Sequence, residues 1–320
     1  MDDDAPTRHR RQQCSSGRRR ARLPSGRRNG RSASRLPLEF HRHQFADDRC
    51  LVTRVCNFHN LDQTQESSVT ITSTTDNYRE RIWAELAKVA RPDSRFHWDF
   101  SSFICDFVGS DQCADRILEL DAFKNRGDRQ IFITPDNCLE DLRYKLITAG
   151  VPFVMTTYGI IRGFYRLDPS KIPASDHRYA ATLDGFDRYA QHLPLAELKR
   201  SRPFSLLVTG GSAVSSNGVR FGKGHGYFDF EWAVLSELGL TDQFSVVADV
   251  VHDCQFVNEV MPAERHDVAV DWVVTPTRAM HIDQSTRPRG RVYWEMVPGT
   301  EFERLGIVAE LREILGLVPL

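Results

Sequence analysis

Apolar residues change their spacing several times along the chain, and each change marks an element. In "DNYRERIWAELAKVA" (76–90), Ile82, Leu86 and Val89 recur at i, i+4 and i+7. That is one stripe of an amphipathic helix, with Asp76 placed to cap it. "GSDQCADRILEL" sets Ile117, Leu118 and Leu120 behind Ser110, which predicts a second helix with a serine cap. "QIFIT" (130–134) is a short β-rich run, "CLEDLRYKLITAG" a helix stopped at Gly150, and "VPFVMT" (151–156) another buried strand. Strand, helix, strand is a βαβ unit, which requires parallel pairing and a right-handed crossover.

The rhythm returns in the second half. "FSLLVTG" (204–210), "FSVVADVV" (244–251) and "VAVDWVVTP" (268–276) read as strands, while "FEWAVLSELG" and the closing "FERLGIVAELREIL" read as helices. Continuous apolar strands interleaved with helices predict an α/β fold: a mostly parallel sheet with helices on both faces, Rossmann-like and three-layered. Residues 169–194 do not fit the rhythm and read as a linker with one irregular helix between two halves. Residues 41–74 stay polar and include the Ser/Thr-rich "SSVTITSTT", so the α/β domain is expected over 75–320.

Composition adds a second, very different segment. Residues 1–40 carry eleven Arg against Asp2, Asp3, Asp4 and Glu39, a net +7; the chain total of −1 then leaves −8 on the remainder. Almost free of apolar residues, this tail is expected to be disordered. It is open to four readings: a solvated extension, a mitochondrial transit peptide, a nuclear signal, or an arm that touches nucleic acid. No apolar run approaches the roughly 18 residues that span a bilayer, so no membrane partner is expected. The seven cysteines form no CxxC pair or metal-ligand spacing, which suits a reducing, cytoplasmic setting.

The chemistry concentrates in "GVRFGKGHGYFDFEW" (218–232). Gly222, Gly224 and Gly226 would let backbone approach a phosphate, the following helix N-terminus offers N–H donors, and Arg220, Lys223 and His225 add cations. A flexible hairpin needs the same glycines. The order tips the reading toward an anion cradle, because a loose hairpin gains nothing from Tyr227 and Asp229 following directly. The run is neither a Walker A nor a Rossmann glycine signature.

The pattern G-x-R-x-G-K-G-x-G-Y-F-D over 218–229 resembles the nucleotide-binding signature of 5-formyltetrahydrofolate cyclo-ligase, or methenyltetrahydrofolate synthetase. "HDCQFVNEVMPAERHDVAVDWVVTPT" (252–277) resembles a second segment of that family, and "TTYGIIRGFYRLDP" and "RPRGRVYWEMVP" are similar to its divergent synthetase domain-containing branch. The resemblance implies an enzyme that uses ATP and Mg²⁺ to close a reduced folate, 5-formyltetrahydrofolate, into the methenyl form through a phosphorylated formyl oxygen; a monomer is expected. Carried over by position, Arg220, Gly222, Lys223, Gly224, His225 and Gly226 would hold ATP, and Asp229 and Asp267 the metal. Tyr227 and Asp136 would meet the folate, with Asp229, Lys223 and Tyr227 nearest the chemistry. Asp229 also suits a plain first-turn acid, Asp267 a turn residue, and His252 and His266 ordinary loop histidines.

This sequence departs from the family at His225, where a second cation is usual, and at Phe230, where Arg often stands. "TGGSAVSSNG" replaces a run with an aromatic and an acid, and Arg79 and Arg81 are the nearest cations to an expected N-terminal lysine. Those departures keep two other functions in view. One is a non-catalytic nucleotide- or RNA-binding protein on the same fold; the other is an ATP-dependent enzyme acting on another heterocycle.

Overall fold

A computed structural model describes residues 78, 80–96, 98–284 and 290–318. The Arg-rich tail, Asp76 and Arg79 lie outside these residues, which all fall in a compact unit, Asn57–Leu320. In chain order the strands are β1 Ala90–Arg91, β2 Asp106–Phe107, β3 Gln130–Ile133, β4 Phe153–Thr156, β5 Phe164–Leu167, β6 Gln191–His192 and β7 Phe204–Gly210. There follow β8 Ala213–Ser215, β9 Arg220–Phe221, β10 Val246–Val250, β11 Phe256–Val257, β12 Trp272–Val274 and β13 Ala279–His281. The helices are α1 (80–86), α2 Ser110–Glu119, α3 Asp121–Lys124, α4 Glu140–Thr148, α5 His177–Ala180, α6 Leu183–Tyr189, α7 Leu195–Leu198, α8 Tyr227–Glu237 and α9 Gly306–Ile314.

The main sheet runs β13-β12-β10-β7-β3-β4-β5-β6, and its five central strands, β12 to β4, pair in parallel. Side chains alternate across it, because successive strand residues point to opposite faces. On β7, Leu207 packs with α7, α8 and α9, whereas Leu206 and Val208 pack with α2, α4 and α6. The result is the expected three-layer α/β architecture, with apolar cores on both sides of the sheet.

Several local expectations needed correction. Ser110 does not cap α2; Gly109 takes that position at φ 92°, and Ser110 is the buried first helical residue. A Cβ on Gly109 would stand 2.7 Å from Pro276, so close packing decides against a capping side chain. Residues 169–194 are more than a linker, because α5 and α6 bury Ala180, Ala181 and Phe186 in the core, and β6 forms the sheet edge. The antiparallel edge strands β5, β6 and β13 are short or mixed in pattern, so periodicity does not reveal them.

Strand order positions the site. The chain goes from β3 outward to β4, then crosses back to β7 on the other side of β3 and continues to β10 and β12. A crevice therefore opens between the carboxyl ends of β3 and β7, where the winding direction reverses and ligands of such sheets collect.

Candidate functional site

A cavity of about 420 Å³ sits at that crevice, lined by residues following β3 and at the end of β7 together with β9, the glycine run and the start of α8. From β3 comes Asp136, whose Oδ2 accepts from the Thr134 hydroxyl at 2.5 Å and from Gly210 N at 2.9 Å. The carboxylate thus ties the ends of β3 and β7 together. Gly210 must be glycine here: a Cβ would stand 2.7 Å from Cys138 Sγ and 3.3 Å from Asp136 Cβ. The buried Arg143 fixes the same turn by donating to the carbonyls of Asp136 at 2.9 Å and Thr134 at 3.4 Å.

The hairpin that glycines could have served exists elsewhere, as β8–β9, and the glycine run follows it. Gly224 and Gly226 have φ of 104° and 70°, in the left-handed region that favours glycine. Gly226 caps α8, no side chain caps that helix, and Gly222 through Asp229 all border the cavity. The N-terminal amides of an eleven-residue helix are therefore at the wall, beside Lys223.

Lys223 is half-buried. Its ammonium donates to Tyr158 Oη at 2.7 Å and stands 4.3 Å above the Tyr158 ring, and desolvation lowers its pKa against the pull of Asp136, Glu231 and Glu301. Tyr158 in turn donates to the Ser102 carbonyl. Arg220 has a 5 % exposed side chain: Nη1 donates to the Gly210 carbonyl at 3.3 Å, Nη2 lies 3.6 Å from Asp229, and the guanidinium rests 5.0 Å from the Phe228 ring. His225 and Tyr227 stack at 5.3 Å and both meet Glu301, at 3.0 and 2.6 Å.

Asp229 and Asp267 converge on this cavity from separate stretches. Val268 N donates to Asp229 Oδ1 at 3.0 Å, so the residue after Asp267 is bonded directly to Asp229. Burial and the neighbouring Asp229 raise the pKa of Asp267. Two acids that repel each other in a half-dry wall are a donor set that a hard divalent cation would relieve. Among the described residues no group of three or more His, Cys, Asp or Glu stands ready for a metal. His252 accepts from Cys254 N at 3.2 Å as a loop cap, consistent with its plain reading.

A model of the 5-formyltetrahydrofolate cyclo-ligase family matches residues 71–276. The chain belongs to that family. Among curated proteins it is 30% identical over 240 residues to the human methenyltetrahydrofolate synthase domain-containing protein, covering 73% of this chain and 60% of that one. The zebrafish protein of the same name is 28% identical over 247 residues, covering 74% and 61%. The chain thus spans about three fifths of the length of these relatives. A solved 5,10-methenyltetrahydrofolate synthetase from Aquifex aeolicus aligns with 65% of this chain and 93% of its own, at 13% identity and a TM-score of 0.40.

Within this cyclo-ligase family member, the structure brings every residue expected to meet ATP, folate or metal to one cavity: Asp136, Arg220, Gly222, Lys223, Gly224, His225, Gly226, Tyr227, Asp229 and Asp267. It adds Tyr158 and Glu231, which sequence reasoning missed. Glu231 is 2 % exposed, accepts from the Thr156 hydroxyl, borders the cavity, and is pushed by burial up to about 8. A lone acid inside the apolar run "FEWAVL" is the signal that could have found it. Arg81 lies 4.8 Å from the Tyr78 ring and is not among the cavity-lining residues.

Proposed function

We propose that the protein is an ATP- and Mg²⁺-dependent cyclo-ligase that closes 5-formyltetrahydrofolate to 5,10-methenyltetrahydrofolate. The convergence of Asp229 and Asp267 on the cavity that Lys223 also lines, beside the open N-terminus of α8, supports this reading most. The formyl oxygen of the substrate is a poor leaving group, so ring closure needs it phosphorylated. Lys223, Arg220 and the amides of residues 224–228 would hold the phosphates. Asp229 and Asp267 would hold the cation, which neutralises charge on the transferred group.

Asp136 and Tyr227, which both border the cavity, would meet the folate. Tyr158 would keep Lys223 oriented, since its hydroxyl and ring both contact the ammonium. The test combines purified full-length protein with ATP, Mg²⁺ and 5-formyltetrahydrofolate and follows the absorbance of the methenyl product. Expected is ATP-dependent turnover that Asp229→Asn abolishes while leaving the melting temperature near the wild-type value. Equal turnover in Asp229→Asn refutes the assignment.

One set of contacts favours a second reading. His225 is engaged by Glu301 and Arg220 by Asp229, so two of the three loop cations already have acidic partners. ATP bound tightly with no methenyl product assigns the protein as a nucleotide binder on the same fold.

A further inference from the structure

Asp249 takes no part in the site as described so far. It interrupts the apolar strand β10, is fully buried, and neither carboxylate oxygen has a hydrogen-bond partner among the described residues. Unpartnered buried carboxylates are costly, and a fold that needed only a strand would place an apolar residue there. Gly211 makes room for it, since a Cβ at 211 would come within 2.6 Å of Asp249 Oδ2.

Arg220 lies at the neighbouring residue, donating to the Gly210 carbonyl, and its Nε also lacks a partner among the described residues. Its tie to Asp229 is long, at 3.6 Å. An unsatisfied guanidinium N–H and an unsatisfied carboxylate therefore stand beside two adjacent glycines, Arg220 against Gly210 at the cavity and Asp249 against Gly211. Asp249 is raised to about 7 by burial, with Arg220 lowering and Asp136 raising it, and the buried thiol of Cys138 is also close enough to feel it.

We propose that Asp249 is the positioning residue for Arg220: once a divalent cation engages Asp229, the guanidinium leaves Asp229, bonds Asp249 through its Nε edge, and turns its remaining N–H groups to the anionic ligand. This rests on the cation-binding reading of Asp229. A cation at Asp229 would repel a guanidinium 3.6 Å away, and Asp249 is the buried acid positioned to receive it. Held from behind in this way, Arg220 presents a fixed fork to phosphate instead of a mobile side chain.

The test reads Asp249 directly, by ¹³C NMR pH titration of aspartate-labelled full-length protein, with the signal assigned by its loss in Asp249→Asn. Should that variant fail to fold, Asp249→Glu removes the same aspartate signal. Asp229→Ala frees Arg220 without any metal. Expected is titration near 7 in the wild type, a fall of about two pH units in Asp229→Ala, and no such fall in the Asp229→Ala, Arg220→Gln double variant. ATP with Mg²⁺ added to the wild type should produce a fall like that in Asp229→Ala. An Asp249 that titrates as in the wild type when Asp229 is Ala, or that falls equally in the double variant, overturns the pairing whether or not nucleotide binds. A fall in Asp229→Ala with no response to ATP and Mg²⁺ overturns the metal trigger and, with it, the cation reading of Asp229.

Discussion

Replacing Glu231 by Gln should flatten the pH dependence of stability above pH 5. Glu231 is fully buried and is raised from 4.5 to about 8, chiefly by desolvation, with its Thr156 hydrogen bond working the other way. The folded state holds this proton more tightly than the unfolded chain does. The stabilisation is therefore complete below pH 4.5 and is lost as pH rises through 8. A displacement of about 3.5 pH units at 1.36 kcal/mol each is about 5 kcal/mol in total. Between pH 5.5 and 8.5, about 3 kcal/mol of it disappears. At 2–4 °C per kcal/mol for a domain of this size, the wild type should lose about 6–12 °C in Tm across that window from this group alone. Glu231→Gln keeps the shape and an acceptor for Thr156 but cannot titrate, and Asp249 contributes equally to both proteins. Circular dichroism melts at the two pH values supply the comparison. Parallel Tm losses in wild type and variant would show that Glu231 is hydrated and ionised, and the account of its burial would be wrong.

Gly210→Ala should lower Tm by about 5 °C, because its Cβ would press on Cys138, Ile104 and Asp136, and overpacking of this kind costs about 1–3 kcal/mol; an unchanged melt counts against the close approach of β7 to Asp136. Lys223→Met should weaken ATP binding by about 10- to 100-fold in calorimetry, the loss expected for one charged hydrogen bond, with little change in Tm; equal affinity would remove Lys223 from the phosphate site. Asp267→Asn should abolish most of the gain in ATP affinity that Mg²⁺ brings while leaving Mg²⁺-free binding the same or tighter, since one repelling acid is gone; a wild-type Mg²⁺ effect would refute its role as a ligand.

Much of the fold could be read from the sequence because parallel strands buried on both faces leave uninterrupted apolar runs. "FSLLVTG" became β7 residue for residue, and "VAVDWVVTP" shortened to β12 at Trp272–Val274. The glycine run was legible for a different reason: positive φ at Gly224 and Gly226 excludes most other residues, so its chemistry is written in the backbone. What stayed hidden depends on tertiary neighbours. Glu231 lies on a helix buried nearly all round, where helical periodicity cannot separate a cavity-facing acid from a surface one. Tyr158 follows a strand by two residues, and only the fold brings its hydroxyl to Lys223, 65 positions away. Ser110 had the composition of a cap and lost the place to a glycine that could pack under Pro276.

The charge arrangement at the cavity follows from this topology. A reversal of winding gathers the ends of β3 and β7, where the turn after β3 delivers Asp136; the return through β8 and β9 then brings Arg220, Lys223 and the acids of α8 to the same opening. Acids and cations forced together in a poorly hydrated space cannot all be charged independently. Burial resolves the conflict by raising Glu231, Asp249 and Asp267 and lowering Lys223. With Glu231 raised to about 8, this carboxyl adds no charge to the wall near neutral pH and does not compete with an anionic ligand for the cations beside it. A metal arriving at Asp229 and Asp267 would offset the repulsion between those two acids, the same repulsion that helps to raise Asp267.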